Sequence, residues 1–182
     1  MTFQQLQHAI RAACEVAGDN ELWVFGSQAI LSVYPEAPES LRTSIEVDVQ
    51  PKNLPERTIY IDGALGELSL FHQTHGFYVH GVSIDTARLP EGWKKRVVRV
   101  VDEIRTKGMT GLCVEVHDLA ASKIVAFREK DRDFIRTLII EDLIEHELLA
   151  ERIRLLQVET DIIEHRLRWL SLTVNELSQP FE

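Results

Sequence analysis

The apolar positions at the start of the chain recur at helical spacing. Phe3, Leu6, Ile10 and Ala13 share one face, which predicts a helix over residues 2–17 that Gly18 ends. Residues 21–25 form a short apolar run rich in aromatics and read as a strand leading into Gly26. Ser27 is well placed to cap a helix over residues 28–33, which Pro35 closes, and the prolines of YPEAPES mark a loop. From residue 44 to 49 the period changes to two. Ile45, Val47 and Val49 point one way and Ser44, Glu46 and Asp48 the other, as in a half-buried strand with one polar face.

After a loop at residues 53–57, Asp62 can cap a helix that carries Leu65, Leu68 and Phe71 and stops near Gly76. Residues 77–85 read as a strand and LPEGW as a turn; residues 96–101 and 112–116 read as a strand pair around TKGMTG. Asp118 can cap a helix with Leu119, Ile124 and Phe127 on its buried side, and Asp131 or Asp133 caps the next. Steps of three and four run from Leu149 through Ile153, Leu156, Ile163, Leu167, Leu170 and Val174 to Leu177. They predict either one long helix or, the reading favoured, a break near Glu159 and a restart at Asp161 with Glu164 completing a capping box. The expected fold class is α/β (α+β). A mixed sheet flanked by helices fills residues 1–140, and a helical C-terminal region, residues 141–182, packs on that core. The C-terminal stripe serves that core or, alternatively, a homodimer.

Composition narrows the function without naming it. The chain has 182 residues, 45% apolar and 27% charged, ordinary proportions for a globular protein able to bury a full core. Its N-terminus, MTFQQLQHAIRAAC, lacks a basic region followed by an apolar core, and no run could span a bilayer, so a cytoplasmic protein with no membrane partner is expected. Cys14 and Cys113 are too few for a disulfide framework or a four-cysteine zinc site. The net charge of -9 argues against avid unspecific binding to duplex DNA. The charge is uneven, however: residues 88–136 carry 12 Lys and Arg against 8 Asp and Glu, whereas residues 141–182 carry 4 against 10. The middle of the chain could face phosphates.

Candidate chemistry concentrates in residues 23–50. Two carboxylates two residues apart on a strand share a face, and phosphoryl or nucleotidyl transfer needs carboxylate-held metal against the triphosphate. Glu46 and Asp48 supply that pair, with Mg²⁺ (or Mn²⁺) the expected ion. Upstream, Gly26 lets backbone approach a phosphate, and Ser27 adds a hydroxyl at a helix start. His72, His75 and His80 lack the i, i+4 spacing of a helical zinc pair and are not expected to bind metal.

This order of residues resembles the minimal nucleotidyltransferases of the DNA polymerase β superfamily, whose pattern of Gly-Ser, short helix and strand with paired carboxylates appears as Gly26-Ser27 and Glu46-x-Asp48. Arg42-Thr43, LPEGW with Arg96, and KIVAFREKD at residues 123–131 are similar to the abortive-infection class of nucleotidyltransferase toxins and their uncharacterised bacterial relatives. The resemblance covers about residues 22–136 and implies a nucleotidyltransferase-like sheet. It also implies a nucleoside triphosphate substrate, an RNA (tRNA) or protein hydroxyl as acceptor, and a toxin role with a cognate antitoxin as partner. On it, Lys123, Arg42 and Arg128 are phosphate-binding cations, and Asp131 is a base or orienting group with Asp133 as rival. A third metal-binding carboxylate is expected on a neighbouring strand, with Asp85 the candidate. Glu46 departs from the aspartate usual at its position, which keeps open the alternative of a catalytically inactive nucleotidyltransferase-like binding or regulatory protein.

Overall fold

The computed structural model describes residues 1–178. The chain divides into two compact units: Met1–Ala87 with Lys94–Glu115, and Arg88–Trp93 with the chain from Val116 on.

The first unit is built on a five-stranded mixed sheet. Helix α1, Phe3–Ala17, opens it and is bounded as its sequence requires. Thr2 Oγ1 accepts from Gln5 N at 3.2 Å while Gln5 Oε1 accepts from Thr2 N at 2.8 Å, a reciprocal cap of about 1 kcal/mol, and Gly18 ends the helix at φ 62°. The strands are β1 (Glu21–Phe25), β2 (Glu46–Pro51), β3 (Tyr78–Gly81), β4 (Val98–Val100) and β5 (Thr110–Cys113). They lie in the order β3-β2-β1-β5-β4. The β1–β2 and β4–β5 pairs are antiparallel; β1–β5 and β2–β3 are parallel.

One face of this sheet is covered. Leu22, Val24, Val47, Val49 and Val79 are fully buried there, against Leu6, Ile10 and Ala13 of α1 and Ile61 of α2, Thr58–Leu65. Gly81 marks how closely α2 crosses: a Cβ at residue 81 would stand 2.2 Å from Thr58 O. The opposite face carries Glu21 and Trp23 from β1, Glu46, Asp48 and Gln50 from β2, and Tyr78 and His80 from β3. Asp19, just ahead of β1, ties the sheet end to the following loop. Its buried carboxylate accepts from Asn53 N, Asn53 Nδ2, Leu54 N and Glu21 N at 2.7–3.1 Å.

Several expected boundaries moved. The single helix expected through Leu65, Leu68 and Phe71 is two, α2 and α3 (Leu70–His75), because Leu68 takes φ 64° after Gly66. The strand expected over residues 77–85 ends at Gly81, and Ile84–Thr86 form a short 3₁₀ turn.

The second unit is helical, with α4 (Val116–Ala126), α5 (Glu129–Ile140), α6 (His146–Arg154) and α7 (Thr160–Leu177). Its core includes Leu119, Ile124, Ile135, Leu138, Leu149, Ile153 and Leu170. The break near Glu159 is present, with Glu159 as the N-cap of α7, although no side chain completes a capping bond there. Asp131 does not cap α5, nor does Asp133. Phe127 at φ 54° ends α4 early, Arg128 becomes the N-cap, and both aspartates fall inside the helix. Arg152 Nε, 3.3 Å from the fully buried Asp118, links α6 to α4. No helix among the described residues is long and apolar enough to cross a membrane.

Candidate active site

Alternate positions on β2 project Glu46 and Asp48 from the sheet face opposite Val47 and Val49, both half-buried. On one side Phe25 of β1 pairs with Asp48; on the other, parallel β3 sets Tyr78 opposite Glu46 and His80 opposite Asp48. The result is a compact polar triad. His80 Nδ1 lies 2.9 Å from Glu46 Oε1 and 3.0 Å from Asp48 Oδ1, and one ligand-capable atom from each of the three lies within 4.8 Å of the others. Carboxylate oxygens and an imidazole nitrogen, held on adjacent strands, form a donor set that fits a divalent cation.

The chain reaches this triad through a turn that only glycine fits. Gly26 follows β1 with φ 73°, and a Cβ there would fall 2.0 Å from Asp48 Oδ2. The 3₁₀ helix Ser27–Ser32 begins immediately after, so Gly26 takes the cap position expected of Ser27, and Ser27 is the first helical residue. The paired carboxylates and the Gly-Ser turn are therefore in direct steric contact, although about twenty residues of sequence separate them. Tyr78 borders the group. Burial, then the negative charges of Glu46 and Glu67 and a hydrogen bond to Glu46, push its phenol up to about 12, so it remains a proton donor.

Asp85 does not join the triad. The turn at residues 84–86 takes it off the strand, where its backbone N–H donates to Ser83 Oγ at 3.3 Å and its carboxylate accepts from the same hydroxyl. His80, not expected to bind metal because the histidines lack the i, i+4 spacing of a helical zinc pair, holds the neighbouring-strand position expected of a third carboxylate. The signal that could have found it was the alternation in FYVHGV, which puts His80 and Tyr78 on one face of a strand. Arg42 follows the 3₁₀ turn Glu39–Leu41; its carbonyl accepts from the N-terminal ammonium of Met1, and its Nε is buried without a hydrogen-bond partner among the described residues.

Lys123, Arg128 and Asp131 belong to the helical unit and converge there. Asp131, with its side chain 1% exposed, lies 3.5 Å from Lys123 Nζ and accepts from Arg128 Nε at 2.7 Å. Lys123 Nζ also stands 4.5 Å from the Phe134 ring centroid. Burial lowers the Lys123 ammonium pKa, and the Asp131 charge opposes that shift. Asp131 thus sits between two cations, one on α4 and one at the start of α5. Asp133 lies two residues further along α5, where its carbonyl accepts from Thr137 Oγ1 at 3.0 Å.

A mixed sheet with a strand-Gly-Ser turn feeding a 3₁₀ helix, and paired carboxylates on the next strand, defines a nucleotidyltransferase-like protein. The family model described as "Nucleotidyltransferase of unknown function (DUF6036)" matches residues 2–175, and the chain belongs to that family. No curated protein and no solved structure matches it.

Proposed function

We propose that the protein transfers a nucleoside monophosphate from a nucleoside triphosphate to an acceptor hydroxyl. The acceptor oxygen attacks the α-phosphorus in line, the bond to the bridging oxygen breaks, and pyrophosphate leaves while the hydroxyl proton passes to solvent or a nearby base. The observation that carries this reading is the contact of Gly26 with Asp48, which sets the Gly-Ser turn directly beside the paired carboxylates.

Glu46 and Asp48 would hold a divalent metal. When bound, it would offset the charge developing on the phosphate oxygens. Gly26 lets the Asp48 carboxylate sit against the turn, and the Ser27 hydroxyl would hold a phosphate oxygen beside it. Tyr78 donates to Glu46 and fixes its rotamer. Arg42, in the same unit as the carboxylates, supplies a cation for the triphosphate in this reading, and Lys123 with Arg128, oriented by Asp131 in the helical unit, is a separate phosphate-binding group. A toxin acting on an RNA or protein hydroxyl is the biological setting we favour, by analogy with the families the sequence resembles.

The test is a thermal-shift titration with each of the four nucleoside triphosphates, with and without divalent metal, on wild type and Asp48→Asn. The reading expects a metal-dependent rise in melting temperature for wild type that Asp48→Asn loses. No shift in either protein rejects it.

A further inference from the structure

We propose that His80 is the third protein ligand of the metal at Glu46 and Asp48, and that its imidazole makes this site prefer Mn²⁺ to Mg²⁺. The inference rests on the reading above for the location of the metal and goes beyond it in naming the ligand set and the ion.

Three observations carry it. The parallel β2–β3 ladder places His80 directly opposite Asp48, so strand register sets the approach of the ring to the carboxylates, independent of any loop. A single ring nitrogen, Nδ1, faces both carboxylates at 2.9 and 3.0 Å. That nitrogen carries at most one hydrogen and can give one linear hydrogen bond, so an ion pair satisfies only one carboxylate well. A cation bound by all three atoms satisfies both. The separations also suit such an ion, because adjacent ligands of an octahedral ion with bonds of about 2.1 Å stand about 3.0 Å apart.

Ion preference follows from donor chemistry. Mg²⁺ is bound through oxygen ligands and water, whereas imidazole suits the transition metals. Replacing a third carboxylate by His80 removes one negative charge and one hard oxygen, which weakens Mg²⁺ more than it weakens Mn²⁺. Both ions accept the octahedral arrangement that a triphosphate requires, so the exchange changes the ion without closing the site.

The test uses the full chain with metal alone, and no nucleotide. Mn²⁺ binding is read from the loss of the free-ion electron paramagnetic resonance signal, Mg²⁺ by competition, and nitrogen coordination by pulsed measurements of the bound Mn²⁺. Wild type should bind Mn²⁺ at least tenfold more tightly than Mg²⁺ and show directly coupled imidazole nitrogen. His80→Gln should lose that nitrogen signature and on the order of tenfold or more in Mn²⁺ affinity. His80→Asp, which restores a third carboxylate, should shift the Mn²⁺ to Mg²⁺ ratio at least fivefold toward Mg²⁺. The His80 side chain is 40% exposed, so these variants are expected to fold, and melting curves confirm it. Equal Mn²⁺ affinity in wild type and His80→Gln, or bound Mn²⁺ without nitrogen coupling, overturns the proposal even if nucleotide binds. Mn²⁺ bound through His80 with no response to any triphosphate supports the proposal and rejects the nucleotidyltransferase reading instead.

Discussion

Gly26 and Asp48 are in steric register: a Cβ on residue 26 would lie 2.0 Å from Asp48 Oδ2, closer than any non-bonded contact tolerates, and φ at residue 26 is 73°. Gly26→Ala therefore has two costs, a left-handed backbone of about 1–2 kcal/mol and displacement of the Asp48 carboxylate. The expected outcome is a melting temperature lowered by several degrees and metal affinity reduced at least tenfold. Calorimetric metal titration and a thermal melt measure the two separately. Unchanged metal affinity would show that the turn is not part of the site.

Asp19 is expected to be a stability residue rather than a catalytic one. Burial alone would raise its pKa, but its hydrogen bonds from Asn53, Glu21 and Leu54 outweigh burial and hold it below the ordinary value. A carboxylate whose folded pKa is depressed contributes stability above the unfolded value of about 3.9, and loses it as pH falls through the folded pKa. Asp19→Asn should cost about 2–3 kcal/mol near neutral pH, and the gap from wild type should close in acid below about pH 4. Urea melts across pH read this. A gap independent of pH would contradict the assignment.

Gln28 is fully buried, and neither side-chain amide atom has a hydrogen-bond partner among the described residues. Two orphaned polar groups cost about 1–3 kcal/mol, so Gln28→Met, which keeps the shape, should raise stability by about 1 kcal/mol. Denaturant titration decides. A loss of stability would reveal that the amide has a partner.

Within the helical unit, Asp131 should matter to folding. Its carboxylate faces Lys123 and Arg128 from a nearly closed position, so Asp131→Ala removes the counter-charge 3.5 Å from the buried Lys123 and should cost about 3–5 kcal/mol. Lys123→Met combined with Asp131→Ala should recover part of that loss. Urea melts of the single and double variants form the cycle that measures it.

The local elements were legible wherever sequence signals agreed with one another. Thr2 with Gln5 and Gly18 bracket α1, and the alternation around Val47 and Val49 marks β2. Contacts between distant segments were not legible. His80 reaches Asp48 only because β3 runs parallel to β2 in one register, and 32 residues of sequence hide that pairing. Asp85 looked like a strand-end carboxylate until the chain turned at residues 84–86, and Asp131 looked like a cap because aspartate suits caps, before Phe127 at φ 54° moved the helix start. In each case a single backbone dihedral or ladder offset decided the outcome.

The most direct test of nucleotide transfer is isothermal titration of a non-hydrolysable α,β-methylene nucleoside triphosphate onto wild type and Asp48→Asn, with Mn²⁺ and with Mg²⁺. Metal-dependent binding to wild type, reduced at least tenfold in Asp48→Asn, is the predicted result. Absence of binding in wild type with every base and either metal, or equal binding to Asp48→Asn, would contradict it.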